Sequence, residues 1–396
     1  VLTRASFGIL GANVPSILRG LVACGWFGIQ TAIGGSAIYQ LIGAIQGAPL
    51  GGEDIPWLGI NVPELGCFLL FLFLQLVIIY LGIDSIKLLE TWAAPFLILM
   101  GLALLAWAYI KADGFGPMLS APSAFDVGGE KEGQFMKFFL PGLTGMVGFW
   151  ATLSLNIPDF TRYAKTQKDQ ALGQALGLPL FMTLFAFIGV AVTSATVTIY
   201  GEAIPDPTVL AGRMGGGFGV MLALVALTIA TLSTNIAANV VSPANAIMNL
   251  APRKATFRIG GFITAAIGAV ILPWKLIEST DGYIFTWLIG YSALLGPIGG
   301  IVIADYFLIR RTNIDLESLY QRKGCYWYSG GFNPIAITAL ILGVLPNIPG
   351  FLLEAGFIDS TPEIFQQIYT FAWFVGFFLS ATIYTIAMKA LSSPKH

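Results

Sequence analysis

Long apolar runs dominate the chain, each about as long as a membrane is thick, with short polar segments between them. A helix needs about 20 mostly apolar residues to cross the hydrocarbon layer. Ten segments meet that length: Val14–Ile42, Leu65–Ile83, Ile86–Ile110, Phe138–Phe160, Leu172–Tyr200, Gly216–Leu250, Phe257–Ile277, Gly282–Ile309, Pro334–Leu353 and Phe365–Ala390. Several exceed one crossing, which predicts tilt or a break within the helix. The pattern predicts an all-α membrane protein, one helical bundle with no linker, low-complexity run or soluble domain. Its longest loops are Gln46–Glu64, Lys111–Lys137 and Arg310–Asn333, the last rich in aromatic residues.

The charges test this division independently. With ten spans both chain ends lie on one side of the membrane. If that side is cytoplasmic, 15 of the 20 Lys and Arg residues fall inside, and only Lys111, Lys131, Lys137, Arg213 and Lys275 fall outside. Cytoplasmic loops are enriched in Lys and Arg, and a wrong span count would scramble the alternation. The outer loops carry acids instead: Glu53, Asp54, Glu202, Asp206, Glu278, Asp281, Glu354 and Asp359. The expectation is a multi-pass protein of the cell (plasma or inner) membrane with both ends cytoplasmic.

Composition agrees. Hydrophobic residues make up 56% of the 396 and charged residues 10%, against about 25% charged in soluble proteins. The net charge of −1 says nothing of nucleic acid, and with no basic stripe none is expected as a partner. Three widely spaced cysteines, Cys24, Cys67 and Cys325, fit no metal or disulfide framework. The one histidine is His396, the last residue, so no histidine metal site can be built. The chain opens at Val1 without a charged leader or cleavage site, and the natural N-terminus is expected to be missing.

In lipid, a polar group must find a partner inside the protein or line a watery cavity, so polar clusters at mid-span depth are candidate sites. Trp26 and Gln30 are one helical turn apart and share a face. An indole plane beside an amide suits a flat ring with amide-like edges; the pair equally fits a tryptophan at a helix contact and a glutamine bonded to another helix. Ala230-Thr-Leu-Ser233-Thr234-Asn235-Ile-Ala-Ala-Asn239 places two amides on one face and two neutral hydroxyls side by side. Hydroxyls and backbone carbonyls suit sodium, and the same groups also serve ordinary interhelical hydrogen bonding. In Gly142–Asp159, glycines at spacing three (Gly142, Gly145, Gly148) lead to Phe149, Trp150, Asn156 and Pro158, which reads as a helix prone to break or as a packing face that ends at the proline. Glu90, Asp159 and Asp305 lie near cytoplasmic ends, where helix-end solvation or a loop salt bridge accounts for them. No carboxylate pair, histidine or metal cluster at depth offers catalytic machinery, so the chain is not expected to be an enzyme. A neutral, planar, hydrogen-bonding solute fits this lining better than an anion or a fixed cation.

Four stretches resemble the nucleobase:cation symporter-1 family of purine, cytosine, uracil, allantoin and hydantoin permeases. They are Ala23-Cys-Gly-Trp26-Phe-Gly-Ile-Gln30-Thr31, Asn156-Ile-Pro-Asp-Phe-Thr-Arg162-Tyr163, Ile303-Ala-Asp-Tyr-Phe307 and Tyr326-Trp-Tyr-Ser-Gly-Gly-Phe-Asn-Pro334. The resemblance implies a twelve-helix, LeuT-like fold, with ten helices in two inverted five-helix repeats and two more after them. The ten spans match the third to twelfth helices, so residues 1–309 correspond to the inverted-repeat core without its first two helices, and residues 334–390 to the two C-terminal helices. It further implies that Trp26 and Trp150 sandwich the substrate ring and that Gln30 and Asn239 bond its edges, with Asn235 beside them. Ala230 (through its carbonyl), Ser233 and Thr234 match half of a sodium site. Phe149 stands where the hydantoin carrier has a glycine, which favours a nucleobase or allantoin. Tyr291, Leu294 and Leu295 match the outer gate. The expectation is a monomeric carrier that imports a nucleobase or cyclic ureide with sodium or protons and needs no cofactor beyond a coupling ion. A substrate sensor that moves nothing, or an inactive remnant, is the alternative.

Overall fold

The computed structural model describes residues 1–120, 122–214, 217–279 and 282–392, without the side chains of residues 83, 84, 87, 151, 152, 218 and 392. Asp281, Lys395 and His396 of the sequence analysis lie outside this set, as does the side chain of Lys87. The described residues are helical, joined by turns and loops, with two isolated β-bridges. The main helices are α1 (Asn13–Gln46), α2 (Val62–Leu81), α3 (Ile83–Lys111), α4 (Phe135–Ser154), α5 (Gln167–Tyr200), α6 (Gly217–Asn239) and α7 (Val241–Leu250). They continue with α8 (Phe257–Val270), α9 (Ile289–Ala304), α10 (Pro334–Val344), α11 (Ile348–Glu354), α12 (Glu363–Thr370) and α13 (Ala372–Ser392).

Each expected span falls on one of these helices or on a consecutive pair. Among the described residues, eight stretches are long and apolar enough to cross a membrane. The remaining two expected spans are the 20-residue α4 and the 14-residue α8. Proline sets most of the differences, because its ring displaces the carbonyl four residues back and it has no N–H to offer. Pro243 interrupts the expected Gly216–Leu250 run at Asn239, giving α6 and α7. The Phe257–Ile277 run stops at Val270, because Leu272 takes a left-handed conformation (φ 51°) ahead of Pro273. The Phe138–Phe160 run ends at Ser154, ahead of Pro158. The Phe365–Ala390 run divides at Phe371 into the amphipathic α12 and the apolar α13.

α1 is the central element. Its most apolar stretch is 72% buried, and α2, α6, α7 and α8 pack around it. Glycine makes the approach possible: a Cβ on Gly28 would collide with the carbonyl oxygen of Gly268 in α8. A second group is built on α9, which is covered by α13, α10 and α4. α3 pairs with α5 at the flank. The outward faces of α2, α3 and α5 leave Phe73, Leu99 and Val190 exposed, an apolar surface that is stable against hydrocarbon rather than water.

Candidate functional site

Trp26 and Gln30 project from the middle of α1 into a cavity of about 840 Å³. α4 contributes Phe149 to its wall, and Tyr283 comes from the π-helical turn Gly282–Leu288 that leads into α9. At one end the cavity reaches the loops at Asp54, Glu64 and Asp206. Two of these acids start helices. Glu64 and Asn61 cap α2 reciprocally, and Asp206 accepts backbone N–H groups at the start of the short helix Pro207–Arg213.

Trp26 is the hub of an aromatic cluster. Phe149 meets it edge-on with ring centroids 5.0 Å apart, Tyr283 and Trp287 at 6.1 Å, and Tyr291 at 6.4 Å. Trp150 stands one ring further away, 5.5 Å from Phe149, and does not line the cavity. The aromatic ring of α4 that reaches the cavity wall is thus Phe149, in edge contact with Trp26. Of the expected gate residues, Tyr291 and Leu295 are buried in the core that contains Trp26, and Leu294 packs against it. Several polar atoms of this cluster are buried without a hydrogen-bond partner: Trp26 Nε1, Gln30 Oε1, Trp150 Nε1 and the Tyr291 hydroxyl. Buried polar groups are nearly always satisfied, and two of these four atoms, Trp26 Nε1 and Gln30 Oε1, belong to residues that line the cavity.

The amides of α6 are placed differently. Asn235 Nδ2 donates to Gln75 Oε1 (2.6 Å) and to the carbonyl of Phe27 (3.0 Å), and Gln75 Nε2 donates to Thr31 Oγ1 (2.9 Å). Asn239 Nδ2 donates to Asn235 Oδ1 (3.0 Å). Thr31, Gln75 and Asn235 are fully buried and Asn239 nearly so. This network joins α1, α2 and α6 behind Trp26. Neither asparagine lines the cavity.

At the opposite end from Asp54, the path is crossed by polar contacts. Buried Arg19 donates through Nε to Asn156 Oδ1 (3.0 Å) and through its guanidinium to the Ala238 carbonyl (3.4 Å), at the break between α6 and α7. Asn245 Nδ2 donates to Asp159 (3.0 Å). The discontinuities after α4 and α6 therefore meet at α1.

Of the expected cation ligands, Ser233 is buried, Ala230 half-buried and Thr234 exposed. The Ser233 hydroxyl donates to Glu90 Oε1 of α3 at 2.8 Å. The sequence analysis placed Glu90 at a solvated helix end; the structure corrects this, because the carboxylate turns inward to α6. Asp305 does form the loop salt bridge, with Arg310 at 2.8 Å. Among the described residues, no group of three His, Cys, Asp or Glu side chains could hold a metal ion.

Tyr283, Trp287, Glu90, Gln75 and Thr31 were missed from sequence. A signal existed for the first two: Tyr283, Trp287 and Tyr291 recur every four residues, a stripe that a helix turns to one side. A Cβ on Gly25 would collide with the Trp287 ring, so that small residue of α1 serves the same contact.

Membrane-length helices packed around a cavity lined by Trp26, Gln30 and Phe149 define a multi-pass membrane protein. The chain belongs to the nucleobase:cation symporter family: residues 1–376 match the family of permeases for cytosine/purines, uracil, thiamine and allantoin. It is 48% identical to the purine-uracil permease NCS1 of Arabidopsis thaliana over 99% of its own length and 65% of that protein's. It is 40% identical to the allantoin permease of Bacillus subtilis, over 98% of the chain and 77% of the relative. Among solved structures, the inward-facing conformation of Mhp1 superposes with a TM-score of 0.72 at 26% identity, over 99% of this chain and 77% of that one. The fold is therefore the LeuT-like, inverted-repeat fold of that transporter.

Proposed function

We propose that the chain is the substrate-binding part of a secondary carrier that imports a nucleobase or a related cyclic ureide together with sodium or a proton. One observation carries this reading: the Trp26 indole and the Gln30 amide share a cavity wall, and Gln30 Oε1 is buried there with no hydrogen-bond partner among the described residues. A planar heterocycle with donors and acceptors around its edge satisfies such atoms while stacking on the indole. The names of the relatives, purine-uracil permease and allantoin permease, point to the same class of ring.

In this reading the ring stacks on Trp26 with Phe149 beside it and Trp150 behind Phe149, and Gln30 bonds its edge. Asn235 holds α1, α2 and α6 in register, and Asn239 comes within reach of substrate through movement at the α6–α7 break. Tyr291, Leu294 and Leu295, packed against Trp26, are the candidate gate; the Asp54 end is assigned to the outside, and Arg19 with Asn156 closes the inner end. The oxygens of Ala230, Ser233 and Thr234 are the hard, neutral donors that sodium accepts, and the ion would supply the positive charge whose preferential binding to one state drives uptake.

The test is competition uptake by the full-length protein in proteoliposomes, with uracil, cytosine, allantoin, hydantoins and purines, in the presence and absence of sodium. Saturable uptake of one of these rings, lost in Trp26→Ala, is expected. The substitution removes stacking of about 1–3 kcal/mol. Ligand binding without uptake would turn the reading to a sensor, and normal uptake by Trp26→Ala would remove Trp26 from the site.

A further inference from the structure

The carboxylate of Glu90 turns into a helix interface. It projects from α3 two turns after the helix begins, toward α6, and accepts a 2.8 Å hydrogen bond from the Ser233 hydroxyl. Ser233 is 1% exposed. Among the described residues, which leave out the side chain of Lys87 three positions before it, no Lys or Arg lies within ion-pair range of Glu90. Asp305 provides the contrast: equally an acid on a membrane helix, it holds both Arg310 and the Tyr384 hydroxyl. A carboxylate drawn into a helix interface with a single neutral donor is costly unless a cation joins it.

The neighbourhood on α6 suits such a cation. Ala230 precedes Ser233 and Thr234 by three and four residues, so the three share a face. Ser233 spends its proton on Glu90, which leaves the lone pairs of its oxygen free for an ion. Among the described residues, Ser233 is the hydrogen-bond donor to the Glu90 carboxylate, through Oε1. Hard monovalent cations collect several oxygens at once, and here two helices supply them.

We infer that Glu90 is an anionic ligand of the coupling-ion site, joining the hydroxyl of Ser233 so that a bound sodium ion bridges α3 and α6. This rests on reading Ala230, Ser233 and Thr234 as the ion site. It adds a formal negative charge to an otherwise neutral oxygen set and brings in a helix from which no ligand was expected. Sodium bound there is charge-neutralised in place and clamps α3 against α6. Removing the charge would loosen the ion and leave the aromatic cavity around Trp26, on the other side of α1, in place.

Sodium binding to the purified full-length protein in detergent tests this without any substrate. Thermal unfolding is followed during titration with sodium chloride at constant ionic strength, balanced by choline chloride, with potassium as the control. The wild type is expected to show a saturable rise in melting temperature with sodium and not with potassium. Glu90→Gln, which keeps the shape and loses the charge, should raise the half-saturating sodium concentration at least tenfold. Glu90→Asp keeps the charge on a shorter stem and should raise it about threefold, and it carries the test should Glu90→Gln fail to fold. A wild type that ignores sodium overturns the inference, as does either variant responding as the wild type does. Nucleobase binding in sodium-free buffer, measured on the same samples by tryptophan fluorescence, separates the two readings: a wild type that binds the ring but shows no sodium response defeats the ion site alone, and a wild type that binds no ring but shows a Glu90-dependent sodium response defeats the substrate reading alone.

Discussion

Phe149 meets Trp26 edge-to-face, with ring centroids 5.0 Å apart and planes at 88°. That geometry places the positive edge of one ring on the negative face of the other, and it sets Phe149 beside the indole on the cavity wall. The Phe149 side chain thus limits the size of any ring that stacks on Trp26. Phe149→Gly is expected to widen acceptance toward bulky ring substituents, hydantoins among them, and to weaken binding of the small native ring by the lost edge contact, about 0.5–1.5 kcal/mol. Competition uptake with a series of ring substituents reads this directly. An unchanged order of competitors would show that Phe149 does not set the size limit.

Asn235 is expected to act as a structural beam. Its amide bonds Gln75 and the Phe27 carbonyl inside a network with no exposed member. Asn235→Leu strips the donor from Gln75 Oε1, and leaving such a group buried and unsatisfied costs about 1–3 kcal/mol. A lowered melting temperature is expected, with substrate affinity at low temperature close to that of the wild type. A large affinity loss without a stability loss would return Asn235 to the list of substrate ligands.

Much of this architecture was legible because lipid imposes a simple rule. Apolar runs long enough to cross a bilayer must be helical, so the spans could be placed from residue type alone, and Lys and Arg placement checked their number. Trp26 and Gln30 were legible because one helical turn of spacing fixes their common face whatever surrounds them. The rest depended on distance in three dimensions. Nothing in the spacing of Asn235 and Asn239 shows that Gln75, 160 residues from Asn235, arrives to use up the amide. Glu90 misled for the same reason. Its position near a helix start implied solvent, and only the packing of α3 on α6 turned it inward. The proline breaks were readable as weak points, but which side of each proline would remain helical was set by tertiary contacts.

Gly28 tests how tightly α1 is held. Its Cα faces the backbone of α8, and an added methyl group would strike the Gly268 carbonyl oxygen, which cannot turn aside as a flexible side chain can. Gly28→Ala is expected to push the two helices apart and cost about 1–3 kcal/mol, the usual range for overpacking, despite the better helix propensity of alanine. Thermal unfolding in detergent measures the loss. Gly66→Ala is the control, because an added Cβ there meets nothing within 4 Å, and it should leave stability unchanged or slightly raised.

The last prediction concerns the clasp between the loop after α9 and α13. Asp305 is 2% exposed and receives Arg310 Nε at 2.8 Å and the Tyr384 hydroxyl at 2.7 Å, while Arg310 also donates to the Ala5 carbonyl. Breaking a buried pair from one side leaves a charge without compensation, which costs about 3–5 kcal/mol; removing one hydroxyl donor to a charged acceptor costs less, about 1.5–3 kcal/mol. Arg310→Ala should therefore lower stability more than Tyr384→Phe. The double variant should fall short of the sum of the two, because both single changes act through the same carboxylate. Replacing Asp305 by Asn in the Arg310→Ala background should recover part of the loss, since the uncompensated charge is then gone. Melting temperatures of the five proteins decide the matter: additive losses, or no recovery by Asp305→Asn, would show that Arg310 stabilises the protein through Ala5 and the loop rather than through the buried acid.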